Sequence, residues 1–357
     1  MESILSYDLQ NQFDDYSGVF TKVLAQGGFT SLFTIGDPVQ NRKIEWFEKS
    51  LAPASVDQVS ATGKVITVAD GSKFAAGMQL NDVNSDASYE IKSVSGNDLT
   101  VDADVAVSGV TTYWVSQPAV VEASTEAANV EADSEVLNNY IQEFRRDPEM
   151  SEIAIATPTK DDVGMDYRIE KAMYEIRSDL NDALLRSKAG RIGSKTVAGK
   201  MKGLYGFVTA NEKVDAEKAV LSYDLLMELF KQVAKAGGRP NTIVTSLKHI
   251  KAIQYLMKDY FVADINRAYA GTSVTGIQNP FDNGNILNIV VDEKVPANDI
   301  IVIDRSALIL RPFAGLGLGV ANTTLPGHLG ERNTVFGVYT AQFQNIKDNC
   351  RILTNIG

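Results

Sequence analysis

Met165-Asp-Tyr-Arg-Ile169-Glu-Lys-Ala-Met173-Tyr-Glu-Ile176-Arg-Ser-Asp-Leu180-Asn-Asp-Ala-Leu184 places apolar side chains at intervals of four, four, three, four and four. An α-helix with about 3.6 residues per turn gathers such positions into one stripe. Glu170, Glu175, Arg177, Asp179 and Asp182 occupy the other side, so one face meets a core and the other meets water. Upstream, Thr159-Lys160-Asp161-Asp162 has the spacing of a capping box. Downstream, the pattern stops near Gly190, which predicts a helix roughly 40 Å long. Just before the cap, Glu152-Ile-Ala-Ile-Ala156 reads as a short strand.

Beyond this helix, helical and extended patterns alternate. Ser222 caps a helix through Leu225, Leu226, Leu229, Phe230 and Val233, stopped by Gly237-Gly238-Arg239-Pro240. Thr242-Ile-Val-Thr245 is a buried-strand run, and Leu247 to Met257 returns to helical spacing. Gly271 to Asn285, rich in Gly, Ser, Thr and Asn, reads as a loop. Strands follow at Ile286–Asp292, Asp299–Asp304, Leu308–Leu310, Val335–Phe343 and Cys350–Thr354, with a turn at Val295-Pro296-Ala-Asn298.

Toward the N-terminus the texture changes twice. Residues 56–116 hold short β-branched runs such as Lys64–Ala69, Tyr89–Val94, Asp98–Asp102 and Thr111–Val115. Gly63, Asp70-Gly71, Gly77, Ser95-Gly96-Asn97 and Ser108-Gly109 punctuate them, as in a small all-β module. Its expected core is Ile66, Leu80, Ile91, Val94, Leu99 and Trp114. Flanking it, Val39 to Leu51 reads as a polar extended ribbon, with Trp46 and Phe47 as apolar anchors, and Gln117 to Asp133 as a return strand or hairpin arm. Before these, Leu5, Leu9, Phe13, Tyr16 and Phe20 form one stripe on a helix-like arm. The class is mixed α+β.

Composition narrows the function. The chain has 357 residues with 34 basic and 45 acidic side chains, a formal charge of −11. Such a balance does not suit a broad grip on phosphate backbones, which needs clustered Lys and Arg. One cysteine, Cys350, and two histidines, His249 and His328, leave little from which to build a zinc site. The N-terminus lacks the basic and apolar regions of a secretory signal, and no 18-residue apolar run exists.

Apparent catalytic motifs fail on spacing. Gly190-Arg-Ile-Gly193-Ser194-Lys195-Thr196 has two residues between its glycines where a phosphate loop needs four, so it reads as a flexible connector. Gly315-Leu-Gly317-Leu-Gly319 lacks the helix of a dinucleotide fingerprint. Asp82-Val-Asn84-Ser-Asp86 starts like a calcium loop, but Ala87 and Ser93 stand where glycine and the bidentate acid belong. No G-x-S-x-G is present, and by its period His249 sits on an exposed helix edge. Nothing in this pattern calls for an enzyme or a cofactor.

The order of these parts resembles the major capsid proteins of tailed bacteriophages, the Hong Kong 97-like fold. Lys43-Ile-Glu45-Trp46-Phe-Glu-Lys-Ser-Leu51 resembles the opening of that family's extended loop, and Asn139-Tyr-Ile-Gln142-Glu-Phe144 its close. Glu152 to Thr159, the helix from Met165, Leu325-Pro-Gly327-His-Leu-Gly330, Tyr339 to Asn345 and Arg351 to Ile356 follow in family order. The resemblance implies an N-terminal arm (1–38), an extended-loop hairpin (39–55 and 117–150) and an inserted β module (56–116). It further implies a peripheral domain with a spine helix (151–200), an axial α/β domain (201–325) and closing peripheral strands (326–357).

Copies are then expected to form pentamers and hexamers of an icosahedral head around double-stranded DNA, in a virion assembled in the bacterial cytoplasm. Portal and scaffolding proteins are the further expected partners, with DNA held by non-specific proximity and no membrane or cofactor involved. Some relatives begin with a scaffolding segment that is removed; none fits before this arm, so scaffolding is expected from a separate protein or from a piece already absent. Glu45, Trp46, Phe47, Arg145 and Arg146 are the interface candidates. An encapsulin-like shell is the alternative within the fold, and a secreted β-rich adhesin the alternative outside it.

Overall fold

The helix Met165–Arg186 packs across a six-stranded sheet, and this layer pair organises the larger part of the chain. A computed structural model describes residues 28–48, 55–105, 111–116, 135–157, 164–256, 261–263, 275–278 and 286–357. The expected arm stripe, the return arm at 117–133 and the capping box at 159–162 lie outside these residues. Two compact units are present: residues 46–137 with 231–238, and the remainder.

In the larger unit the helix buries Ala172, Ile176, Leu180, Ala183, Leu184 and Leu185. Its N-terminal half is shallower than the periodicity predicts. Met165, Ile169 and Met173 are half-buried, while Tyr167 and Tyr174 face water. The helix ends at Arg186, where Ser187 turns away and donates its hydroxyl to the Met201 carbonyl at 2.6 Å. Its 22 residues span roughly 33 Å, shorter than expected. The glycine-bearing stretch after it is a hairpin and not a connector: Arg191 and Lys200 exchange backbone hydrogen bonds at 2.8 and 3.0 Å.

The six strands under the helix are β1 (Thr34–Ile35), β10 (Gln142–Arg146), β11 (Glu149–Ser151), β18 (Leu308–Pro312), β19 (Gly319–Asn322) and β20 (Gly330–Phe343). β10, β11, β18 and β19 all pair antiparallel with β20, and β1 lies parallel to β18. Glu152–Ala156, expected as a strand, is instead a single helical turn with no buried residue. Ser151 caps it by accepting from the Ala154 amide at 3.3 Å, and a capped turn satisfies backbone groups that have no strand partner.

The second sheet has seven strands in the order β12 (Lys213–Asp215), β21 (Cys350–Thr354), β17 (Ile300–Ile303), β13 (Thr242–Thr245), β16 (Ile286–Val291), β15 (Thr275–Gln278) and β14 (Phe261–Ala263). β13 and β17 are buried at every residue, β17 as an unbroken apolar run and β13 with threonines flanking Ile243 and Val244. Helices Tyr223–Lys235 and Leu247–Leu256 belong to this part of the chain, the first capped by the Ser222 hydroxyl, which accepts from the Leu225 amide. Two expectations change here. β15 falls inside the stretch read as a loop, because a strand can be recruited through its backbone alone when both neighbours offer edges. β21, grouped by resemblance with the closing peripheral strands, pairs with β17 and β12 instead.

In the smaller unit, β3 (Ser55–Thr62), β4 (Val65–Val68), β5 (Gln79–Asp82), β6 (Ser88–Ser95), β7 (Asp98–Val101) and β8 (Thr112–Ser116) close into a barrel in the order β3-β4-β7-β6-β5-β8. Closure leaves no exposed edge. The β6–β7 hairpin turns at Gly96, whose φ of +60° suits the first position of a two-residue loop. Ile66, Leu80, Ile91 and Leu99 fill the interior as expected. Trp114 does not: it is 57% exposed, and Tyr113 takes the inward place. Strand side chains alternate, so a choice of one residue inverts the face. The Tyr113 hydroxyl donates to Gln58 Oε1 at 2.7 Å, and its ring meets Tyr89 edge-on at 6.1 Å. That partner makes the polar tip tolerable inside. Val94 is half-buried and packs against this core.

The ribbon β2 (Lys43–Glu48) with β9 (Glu135–Tyr140) is a separate two-stranded sheet, and the boundary between the two units falls within it. Tyr113→Ala should lower stability by about 3 kcal/mol in urea unfolding of the full chain. Trp114→Ala should stay within about 0.5 kcal/mol of the parent.

Candidate functional site

The described residues offer no chemistry-bearing cleft. Among them, no three of His, Cys, Asp and Glu converge where they could hold a metal ion. His249, expected on an exposed helix edge, is 4% exposed. The inward stripe of its helix runs through His249 and Ile253, and Leu247 takes the solvent side. Burial pushes the imidazole below its usual pKa, countered by a hydrogen bond to the Ala297 carbonyl. Burial also pushes the Cys350 thiol up to about 12, which leaves it unreactive. What remains is surface.

On the ribbon, β2 alternates strictly. Trp46 and Glu48 turn inward, while Lys43, Glu45 and Phe47 turn outward. The two anchors read from sequence therefore part company. Trp46 is 8% exposed and its Nε1 donates to Glu48 Oε1 at 2.8 Å, whereas Phe47 is 73% exposed. Glu45 sits against Lys43 on the outer face, and that contact raises the lysine's pKa.

Arg145 and Arg146 lie at the end of β10 and are engaged within the larger unit. Arg145 Nε meets Asp147 Oδ1 at 2.9 Å, Arg332 meets Asp147 Oδ2 at 3.4 Å, and the Thr334 hydroxyl donates to Asp147 at 2.7 Å. Arg145 thereby holds the Asp147 carboxyl below the usual carboxylate range, with Thr334 and Arg332 assisting. Arg146 on the opposite side of the strand bridges to Glu175 at 3.3 Å and to Asp179 on the long helix. An open cleft of about 670 Å³ beside it mixes Arg186 and Lys200 with Asp182 and Glu143, a lining without one sign of charge.

A third surface was not legible in the sequence. β11 and β20 bring Ser151 opposite Gly330, and the Glu152 amide donates to the Leu329 carbonyl at 3.2 Å. A side chain at 330 would place Cβ 2.3 Å from the Met150 carbonyl oxygen, so glycine is required for this approach. The result is an apolar tip: Ile153 is 81% exposed, Leu329 77%, with Ile155 and Leu325 also open to water. His328 and Glu149 pair at 3.0 Å beside it. The available signal was an apolar pair, Ile153 and Ile155, just after a serine cap and with no strand partner in sequence reach. Large aliphatic side chains left in water on neighbouring backbone suit an interaction surface.

Residues 5–357 match the profile of the family described as SU10 major capsid protein. No curated protein matches the chain. Among solved structures, the capsid asymmetric unit of cyanophage A-1(L) aligns with TM-score 0.53 at 10% identity, covering 91% of each chain. A chain from Mycobacterium phage Bobi aligns at TM-score 0.47 and 12% identity, over 93% of this chain and 91% of that one. The SrpI encapsulin of Synechococcus elongatus PCC 7942 aligns at 0.46 and 12%, over 63% and 78%.

The Asp147 cluster has a defined pH signature. Its carboxyl is depressed in the folded state, so its contribution is complete above the unfolded value and is lost as pH falls through the folded one. Asp147→Asn should lower the urea midpoint at pH 7, and the gap to the parent should close below about pH 4.

Proposed function

The chain belongs to the SU10 major capsid protein family, and from that premise we propose which of its surfaces build the shell and what the shell encloses. It is a major capsid protein, a structural component of the virion that builds the head shell of a tailed phage, with a mixed α/β fold of the Hong Kong 97-like kind. In the proposed arrangement, copies form pentamers and hexamers that tile an icosahedral head around double-stranded DNA, with portal and scaffolding proteins as further partners. The acidic balance of −11 supports an interior on which packed DNA is not tightly held.

The seven-stranded sheet and its helices serve as the axial domain. The six-stranded sheet with the long helix serves as the peripheral domain. The β2–β9 ribbon is the extended loop, and the barrel is its insertion, carried on the capsid exterior between neighbours. The single observation that carries the assembly reading is the pair of uncovered apolar surfaces, Phe47 on the ribbon and Ile153 with Leu329 at the tip. A lone subunit leaves these in water, and neighbouring copies remove them from it. Glu45 and Lys43 flank Phe47 as a polar rim. Arg145 and Arg146 act within the subunit by holding β10 in place, and Trp46 by packing inward.

Phe47→Asp and Ile153→Asp should each weaken association by about 1–3 kcal/mol per contact and leave the unfolding temperature nearly unchanged. Light scattering and negative-stain microscopy across salt and concentration read the effect. Trp46→Ala should lower the unfolding temperature instead. A parent protein that remained a 38.8 kDa species under all conditions would overturn the assembly reading.

A further inference from the structure

The start of the helix Leu247–Leu256 closes over the turn that leads into β17. The Ser246 hydroxyl donates to the Ala297 carbonyl at 3.3 Å, and Lys248 Nζ donates to Asn298 Oδ1 at 2.8 Å. Within the turn the Asp299 amide donates to the Pro296 carbonyl at 3.0 Å, and the Ile356 amide donates to the Asn298 carbonyl at 3.1 Å. His249 follows on the helix and is buried, with Ile253 one turn further on. The Ala297 carbonyl also accepts from its imidazole. Ser246, Lys248 and His249 thus grip one turn from one helix start.

The imidazole sits in this corner with an incomplete set of partners. Its Nε2 is enclosed and has no hydrogen-bond partner among the described residues. A neutral ring tolerates that, because one of its two nitrogens carries only a lone pair. A protonated ring carries N–H on both, and a buried cation with a donor left unmatched is costly. The charged groups that act on the ring are Lys248, which opposes a positive charge, and Asp299, which favours one. Asp299 is already engaged. The Tyr205 hydroxyl donates to its Oδ2 at 2.7 Å, the Asn355 amide donates to it as well, and Lys213 favours its charge from nearby. Burial outweighs these aids, so the ring takes up a proton less readily in the folded chain than in the unfolded one.

We propose that His249 makes this corner an acid-operated latch. With the ring neutral, the helix start stays closed over the Pro296–Asp299 turn. With the ring protonated, the corner opens ahead of the rest of the larger unit. An unfolded histidine binds its proton near pH 6.5, so the corner loses stability as pH falls through about that value. Asp299 works in the opposite sense: burial raises its carboxyl, and a carboxyl raised in the folded state favours folding on acidification. Of the groups in this corner, His249 alone accounts for a loss of stability just below neutrality. The latch belongs to the single chain and operates whether or not copies assemble.

The test follows amide hydrogen exchange of the full chain from about pH 7.5 to about pH 5.5, corrected for the intrinsic pH dependence of exchange. The parent is compared with His249→Gln and His249→Leu, neither of which can take up the proton. In the parent, opening at residues 249–256 and 297–300 should rise about three- to tenfold, while β20 in the same unit changes little. In both variants the rise at these residues should disappear. Each slope is read within one protein, so a variant that is less stable at every pH still reports. A parent rise of equal size in β20 overturns the proposal, as does a rise at the corner that persists in either variant. Should neither variant fold, the parent decides by location: a rise confined to the corner supports the latch, and no rise there overturns it.

Discussion

Fourteen residues, Gly330–Phe343, hold the larger unit together, because four other strands take their hydrogen bonds from β20. β20 pairs with β10 and β18 toward its C-terminal end, with β11 at its start and with β19 between. The long helix crosses the same strand. Its last residues are buried without interruption, since Ala341 and Phe343 meet one side while Thr340 and Gln342 are covered on the other. Every surface assigned to assembly in this unit is positioned relative to β20. The apolar tip is its first residue's neighbourhood, and the Asp147 cluster grips Arg332 and Thr334 within it.

The charged contacts around this strand are specifiers of geometry. Arg145, Arg146 and their carboxylates are about a third to a half exposed, and ion pairs in such settings contribute modestly to stability. Arg146 ties β10 to the long helix through Glu175 and Asp179, and Arg145 ties its end to Asp147. A shell protein gains from this division of labour. Buried apolar packing makes the subunit, polar contacts set the register of its strands and helix, and uncovered aliphatic and aromatic groups are left for neighbours. The barrel follows the same logic separately, with its own closed hydrogen-bond ring and its own core.

Much of this was legible in the order of residues. The long helix, the fully buried strands β13 and β17, the β-rich insertion and the terminal strands all announce themselves through periods of about 3.6 or 2, or through unbroken apolar runs. These are local signals, and a core that lies on one side of an element writes itself into that element. The identity of Phe47 as a conspicuous apolar group on a charged ribbon was visible for the same reason.

What the chain order alone could not decide were matters of partnership. Trp46 and Phe47 are adjacent, and only the pleat of β2 turns one inward and the other outward. Tyr113 takes the place expected of Trp114 in the barrel, where Gln58, 55 residues away, accepts the hydrogen bond of its hydroxyl. β15 was recruited through its backbone, and β21, legible as a strand, found β17 and β12 as partners through edges that its own pattern does not name. The backbone bond of Glu152 to Leu329 and the hydrogen bonds of Phe29 and Asn181 to Asp292 join segments separated by more than a hundred residues. Sequence determines which faces of an element must be buried, because that depends on neighbours within a turn or a pleat. Tertiary structure decides which distant groups meet across those faces, because hydrogen bonds and contacts act through space and not along the chain.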